Sequence, residues 1–266
     1  MTRLAVPLLP LCLAALATAA APLPDTKPLT ESGDLAKKMV DGIHAYLDRQ
    51  LAASVERRKA RWDLSKLDGV ERAKAAEPHR ARLRKLIGVV DDRLPPQMEY
   101  VGGPDHPAIV AETDRYKVFA VRWAVLPGID GEGLLLEPKG DVAGLVVAIP
   151  DADQTPEMVC GLAPGVPPEG QFARHLADLG CLVVVPVLID RKDDLSANPE
   201  LNRATNQPHR EFAHRMAYEM GRTLIGYEVQ KVLAVVDWFQ TRREKNRPFV
   251  GLYGFGEGGL VALYAT

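Results

Sequence analysis

Residues 249–260 read Phe-Val-Gly-Leu-Tyr-Gly-Phe-Gly-Glu-Gly-Gly-Leu, an apolar stretch followed by a glycine-dense turn and the start of an apolar helix. The spacing of Gly254 and Gly258 around Gly256 fits the pattern G-x-Nuc-x-G. In that pattern the chain turns so sharply from strand to helix that the side chain at the tip stands exposed, and only small residues fit two positions to either side. The tip is normally Ser, Cys or Asp. Here it is Gly256, so the sequence predicts the turn without its reactive atom.

The same glycines allow two other interpretations. Gly254, Gly256 and Gly259 also spell G-x-G-x-x-G, the dinucleotide-binding pattern, which needs an acidic residue about 20 positions further on. Only seven residues follow Gly259, so the printed chain cannot supply that residue. The glycines could also serve only the close packing of a helix against a strand. All three interpretations stay open at this point.

The composition is that of an ordinary globular protein. The chain has 266 residues, of which 47% are hydrophobic and 26% charged, and its formal net charge is −2. Because there is no basic excess, we expect no nucleic-acid partner. There is no C-x-x-C pair, and we predict neither a metal site nor a cofactor. Cys160 and Cys181 could pair in an exported protein, although Cys181 opens an apolar run and fits a core position better.

The N-terminus has the pattern of a signal peptide. Arg3 precedes an apolar run, 4–16, and Ala17-Thr18-Ala19 forms a small-residue cleavage site. The run is too short for a comfortable membrane span. We therefore predict a signal peptide over 1–19, a flexible leader over 20–33, an exported protein and no stable membrane span.

The segment 34–94 is predicted to be helical. Its apolar residues recur at three- and four-residue steps between Lys and Arg, Asp34 can cap the first helix, and Pro78 is expected to interrupt or begin the second. This pattern favours an accessory helical segment.

Strands alternate with helices from residue 116 onward. An alternating stretch, a Pro-Gly turn and a second short stretch predict an antiparallel hairpin, and two fully apolar runs are typical of buried parallel strands. A long helical region, 209–242, has Gly221 and Gly226 as expected kinks or a break. The five predicted strands span 116–125, 132–137, 143–149, 181–189 and 248–253. This order predicts an α/β fold with a mainly parallel sheet, and it places Gly256 after the fifth strand.

These segments together resemble the α/β-hydrolase superfamily, and within it the acetyl xylan esterase and dienelactone hydrolase-like proteins. The resemblance covers about 115–266, the N-terminal part of such a domain, and leaves it truncated after the fifth strand. The stretches that carry it are VRWAVLPGIDGEGLLLEP (121–138), VVAIPDADQTPE (146–157), GCLVVVPVLIDR (180–191), GYEVQKVLAVVDWF (226–239) and LYGFGEGGLVALYA (252–265).

The resemblance implies acyl transfer, with Gly256 at the nucleophile position. The backbone N–H of Glu257 and the loop of Asp151 would form the oxyanion hole. In this fold the acid and the histidine follow the elbow, so they would lie beyond Thr266, in a missing C-terminal half or in another chain. Upstream, His209 and His214 are expected to cap a helix or lie on the surface.

The expected family activity is hydrolysis of a small-molecule or polysaccharide ester, and this chain as written is not expected to perform serine-type catalysis. One alternative is a non-catalytic protein that binds a carbohydrate or acyl ligand. Another is a nucleotide-binding protein that uses GFGEGG. A role for Glu257 as a base that activates water is weighed against that of an acid at a helix start, where the helix dipole favours its charge.

Overall fold

The computed structural model describes residues 23–27, 29–59, 67–195, 197–198, 200, 203–204, 206–242 and 249–266. The predicted signal peptide, 1–19, lies outside the described residues. Contacts divide the chain into two compact units, Met1–Asp68 and Gly69–Thr266, and this boundary falls inside the predicted helical segment 34–94. Within the described residues, no helix is long and apolar enough to cross a membrane.

The first unit contains one long helix. Helix α1 spans Leu35–Lys59, and none of its residues is buried. The Asp34 carboxylate accepts the N–H of Lys37 at 3.0 Å, so the predicted cap is confirmed.

The second unit contains the other helices and the strands that the structure describes. The helices are α2 (Gly69–Leu86), α3 (Pro156–Cys160), α4 (Phe172–Asp178), α5 (His209–Glu219), α6 (Leu224–Thr241) and α7 (Glu257–Ala265), with a 3-10 turn at Pro168–Gly170. The strands are β1 (Met98–Tyr100), β2 (Ile109–Glu112), β3 (Tyr116–Leu126), β4 (Ile129–Pro138), β5 (Gly144–Ile149), β6 (Cys181–Pro186), β7 (Ala197–Asn198), β8 (Arg203–Ala204) and β9 (Val250–Gly254).

Seven of these strands form one mixed sheet. Its order is β1-β3-β4-β6-β5-β9, with β2 also paired to β3, and β7 and β8 form a separate ribbon. The predicted hairpin is confirmed, since β3 and β4 pair antiparallel along most of their length. The α/β class is confirmed too, but parallel pairing is confined to β6, β5 and β9. The connection 139–143 is too short for a crossover helix, so β4 must run opposite to β5.

The sequence does not predict two short strands, β1 and β2. Strands β1 and β2 have three and four residues, and both pair antiparallel with β3. Such short segments show too few alternations to be recognised. With them, the strand before Gly256 is the seventh of the main sheet, whereas the sequence count made it the fifth.

Two apolar layers cover the sheet. On one face, α6 and α7 pack over Trp123, Leu145 and Val184, with Phe239 and Val261 fully buried. The opposite face packs against α3 and α4. Both sides of β5 are therefore sealed, and all six of its residues are buried.

Both cysteines belong to the apolar cluster on the face that α3 and α4 cover, Cys160 as the last residue of α3, and both are free. Burial raises the pKa of the Cys160 thiol to about 12. Cys181 is partly buried at the start of β6, as its position in an apolar run predicted. In this structure the two are core residues and do not form a disulfide.

Three local predictions about helices have different outcomes. The break at Gly221 is confirmed, because this residue has a positive φ of 70° and lies between the end of α5 and the start of α6. Helix α6 continues through Gly226, where a Cβ would overlap the carbonyl oxygen of Ile87, so this glycine serves close packing. Pro78 was expected to interrupt or begin a helix, but α2 runs through it. Pro78 is exposed, so water can reach the helix at the position where the proline removes a backbone donor.

We predict that Thr223→Ala lowers the free energy of unfolding by about 1 kcal/mol, because Thr223 caps α6 and links it to the segment after α2. Its hydroxyl accepts the N–H of Gly226 at 3.0 Å and donates to the carbonyl of Ile87 at 2.6 Å. Urea unfolding followed by tryptophan fluorescence measures the change. Thr223→Ser keeps the hydroxyl and is the control. An equal loss in both variants would show that the hydroxyl is not the source.

Candidate functional site

The site lies where three parallel strands end. Strand β5 is flanked by β6 and β9, so the carboxyl ends of all three meet at one edge of the sheet. Asp151 follows β5, Arg191 follows β6, and Gly256 follows β9. After β5 the chain forms its neighbour on one side, β6, and later its neighbour on the other side, β9. In open α/β sheets this switch point is where ligands bind.

The turn after β9 has the geometry of the predicted elbow. Strand β9 ends at Gly254, and α7 begins at Glu257. Between them, Gly256 has φ 55° and ψ −124°, a region that residues with a side chain populate sparsely. A Cβ on Gly254 would overlap the carbonyl oxygen of Gly258, and one on Gly258 would overlap that of Ile149. Both glycines are therefore required by the sharpness of the turn.

A carboxylate from the neighbouring loop fills the tip of this turn. A Cβ added to Gly256 would overlap Oδ2 of Asp151. The same oxygen accepts the backbone N–H of Glu257 at 2.8 Å. Asp151 thus occupies the space where a side chain of residue 256 would begin. It also takes the donor that the sequence analysis assigned to an oxyanion hole.

One backbone N–H of the loop that was expected to supply the second donor is occupied as well. The N–H of Asp151 points to Oε1 of Gln154 at 3.2 Å, within the same loop. In this structure, side chains of the 151–154 loop therefore accept the N–H groups of Glu257 and of Asp151. Asp151 itself acts as an acceptor at the elbow, where its loop was expected to donate.

Arg191 holds this loop in place. Its Nη1 lies 2.8 Å from Oδ1 of Asp151 and 2.8 Å from Oδ2 of Asp153. Its backbone N–H donates to Oδ1 of Asp153 at 3.1 Å, and its Nη2 reaches Oε2 of Glu257 at 3.2 Å. One guanidinium therefore ties the loop after β5 to the first residue of α7. The hydrogen bonds from Asp151 and Asp153 raise the pKa of Arg191.

A second arginine, Arg210, also binds the carboxylate of Glu257. Arg210 Nη2 donates to Oε1 of Glu257 at 2.8 Å, and its two nitrogens meet the carboxylate of Glu228 at 2.6 and 3.0 Å. The Arg210 side chain is 12% exposed and that of Glu228 is 0% exposed. Removing one partner of a buried ion pair destabilises the folded protein, because the remaining charge is then buried and unpaired. Glu257 is thus held between two arginines, which leaves it poorly placed to act as a free base.

The charges at the site favour an ionised Asp151. Burial by itself would raise its pKa, but hydrogen bonds from Arg191 and from the backbone of Glu257 and Asp153 lower the pKa to about 2. Asp151 therefore carries its negative charge across the whole physiological range.

The two histidines weighed in the sequence have different surroundings. His209 is the first residue of α5, is 12% exposed, and lies with Nδ1 2.7 Å from Oδ1 of Asp190. His214 lies further along α5 and stacks on Tyr218, with ring centroids 5.9 Å apart. The structure thus brings His209 into contact with the loop that carries Arg191, and it places His214 in a ring contact on α5 itself.

Sequence reasoning missed Arg191, Arg210 and Glu228. Arg191 carried a usable signal, since it comes a few residues after a buried strand, at the edge of the sheet where Asp151 and Gly256 also lie. Glu228 carried a weaker one, a carboxylate in the apolar stretch of α6. Arg210 carried none, because its partners come from three separate segments of the chain. Within the described ranges, no group of His, Cys, Asp and Glu side chains could hold a metal ion.

Comparisons with known proteins identify the fold. Neither models of protein families nor curated proteins gave a match. Among solved structures, the chain is similar to a candidate acetyl xylan esterase from Bacteroides fragilis, with 16% identity, a TM-score of 0.52, and coverage of 73% of this chain and 50% of that chain. Acetyl xylan esterase 1 from Thermoanaerobacterium sp. gives 12% identity, a TM-score of 0.45, and coverage of 71% and 53%. Glucuronoyl esterase from Solibacter usitatus gives 13% identity, a TM-score of 0.42, and coverage of 73% and 56%.

The first of these likenesses confirms the α/β-hydrolase fold that the sequence predicted. The three solved structures named here are two acetyl xylan esterases, one of them a candidate, and a glucuronoyl esterase. The chain spans about half the length of the solved structures it matches.

We predict that Gly256→Ala destabilises the chain by about 3 kcal/mol, because the new Cβ adopts a strained backbone conformation and also overlaps Asp151. In an Asp151→Ala background the overlap is gone, so the additional cost of Gly256→Ala falls to about 1–2 kcal/mol. A double-mutant cycle of urea unfolding measures this coupling. Gly251→Ala is the matched control, since its Cβ would make only ordinary contacts, at 3.6 Å or more. Additive costs of the two substitutions would contradict the fit between Gly256 and Asp151.

The lowered pKa of Asp151 predicts a specific acid sensitivity. Its folded-state pKa of about 2 lies below the unfolded value of about 3.9, so its contribution is present above about pH 4 and is lost as pH falls towards 2. This contribution is on the order of 2 kcal/mol. We expect Asp151→Asn to lose less stability than the wild type between pH 4 and pH 2 in urea titrations. Asp105→Asn, an exposed control, should follow the wild-type profile. Parallel profiles for wild type and Asp151→Asn would exclude the assignment.

Proposed function

We propose that this chain belongs to an exported protein of the carbohydrate-esterase kind in which the elbow no longer performs serine-type hydrolysis and the site instead recognises an ester-bearing carbohydrate. The observation that carries the proposal is the Asp151 carboxylate at the tip of the elbow, hydrogen bonded to the N–H of Glu257. The N-terminal pattern over 1–19 supports export.

Ester hydrolysis at an elbow needs a nucleophile at the tip and an open N–H for the developing oxyanion. Gly256 offers no nucleophile. A substrate carbonyl at the N–H of Glu257 would have to displace an ionised carboxylate that Arg191 also holds. Hydrogen bonds to a charged acceptor are stronger than those to a neutral carbonyl, so the displacement is unfavourable.

The same arrangement argues against a nucleotide at GFGEGG. A pyrophosphate at the start of α7 would meet the negative charge of Asp151 there, together with the carboxylate of Glu257. The negative charges of the pyrophosphate and of these two carboxylates would repel each other. The close approach of Gly254 and Gly258 is explained by the elbow turn alone, without a bound phosphate.

A binding role is consistent with the position of the site. The switch point of an α/β sheet presents side chains from several loops, and here Asp153, Arg191 and Glu257 are each partly exposed. Their paired charges offer donors and acceptors to sugar hydroxyls without a reacting group. The solved structures named above suggest the ligand class, an ester of a polysaccharide.

We predict that the purified chain hydrolyses neither 4-nitrophenyl acetate nor acetylated xylan above the rate in buffer, because no nucleophile stands at the elbow. Acetylated xylo-oligosaccharide should raise the thermal unfolding midpoint, since a ligand that binds only the folded state stabilises it. NADH should leave the midpoint unchanged.

Variants of two glutamates make this test decisive. Turnover that is abolished by Glu257→Gln and retained in Glu211→Gln would identify a rewired enzyme and refute the proposal. Glu211 lies on α5, where it pairs with Arg215 outside the elbow. The absence of both turnover and stabilisation would refute the binding role.

A further inference from the structure

The loop after β6 is tied to the start of α5 by one histidine. The N–H of His209 donates to the carbonyl of Lys192 at 2.6 Å. Its ring Nδ1 lies 2.7 Å from Oδ1 of Asp190. These two contacts bracket Arg191, the residue that clamps Asp151 at the elbow.

The other ring nitrogen faces two groups that cannot both be satisfied. Nε2 of His209 accepts the backbone N–H of Leu195 at 2.8 Å and lies 2.9 Å from Oδ1 of Asp194. Accepting an N–H requires a lone pair on Nε2, which exists only in the neutral ring. Donating to a carboxylate requires a proton on Nε2, which, with Nδ1 already donating to Asp190, exists only in the charged ring.

We infer that His209 is a proton-operated latch for the loop 190–195, in which the neutral ring holds the Leu195 amide and the protonated ring holds the Asp194 carboxylate. The contact between Nδ1 and Asp190 survives in both states, because Nδ1 carries a proton in each. The part of the loop around Arg191 therefore stays anchored, while residues 194–195 change partner. Because histidine side chains in general change charge between about pH 5 and 8, that range is the one to test.

The surroundings of the ring favour a switch over a fixed contact. Two described carboxylates contact the ring, Asp190 and Asp194, and the charged residues Lys192, Asp193 and Arg210 are near them or next to the histidine in the sequence. Lys192 Nζ lies 3.6 Å from Asp190, and Arg210 is already engaged by Glu228 and Glu257. The side chain of Asp194 is 72% exposed, so it can approach or leave the ring without disturbing the elbow.

The latch is tested by NMR on the full chain, labelled with nitrogen-15, across pH 5 to 8. The inference requires that the Leu195 amide signal change with pH at the same midpoint as the His209 ring signals, because loss of the acceptor at Nε2 releases that amide. In His209→Gln the pH dependence of the Leu195 amide should disappear. In His214→Gln, the control on the same helix, it should persist.

A second variant keeps the test independent of whether His209→Gln folds. Asp194→Asn removes the partner of the protonated ring, so the Leu195 amide should change at lower pH than in the wild type. A Leu195 amide that does not respond to pH, or whose response is unchanged in Asp194→Asn, would overturn the inference. The test does not involve an ester or a carbohydrate, so its outcome is separate from that of the proposed function.

Discussion

The geometry of the site depends on the absence of one carbon atom. Because Gly256 has no Cβ, the Asp151 carboxylate can enter the tip of the elbow and accept the N–H of Glu257. Placing a carboxylate there removes it partly from water, and Arg191 compensates by pairing with it. Arg191 in turn fixes the positions of Asp153 and Glu257. The glycine, the carboxylate and the arginine are therefore one mutually dependent arrangement.

This arrangement separates the fold from its usual chemistry. The sharp turn, the switch point and the helix start have the geometry predicted for a hydrolase elbow, yet the charged groups described there, Asp151, Arg191 and Glu257, are paired with one another. Glu257 contacts two arginines, and one of them also neutralises the fully buried Glu228. A fold supports a function only through its site, and here ion pairs within the chain hold the charged side chains at the elbow.

Features of the fold that depend on neighbouring residues in the chain were predictable from the sequence, and features that depend on distant partners were not. The elbow, the first hairpin and the buried strands were predictable, because each is encoded by residues adjacent in the chain. The short strands β1 and β2 were not, since their pairing depends on β3 and not on their own pattern. The course of α2 through Pro78 was missed for a similar reason, because the local rule against proline was outweighed in its exposed surroundings.

The sequence by itself determined that residues 254–258 turn sharply from strand to helix and that no reactive side chain stands at the tip, because both follow from the size of glycine. Only the tertiary structure decided what occupies the space that is left. Asp151 and Arg191 lie 40 positions apart in the chain and more than 60 positions before Gly256. They meet because three parallel strands end at one edge of the sheet, and this juxtaposition is fixed by strand order and not by any local pattern of residues.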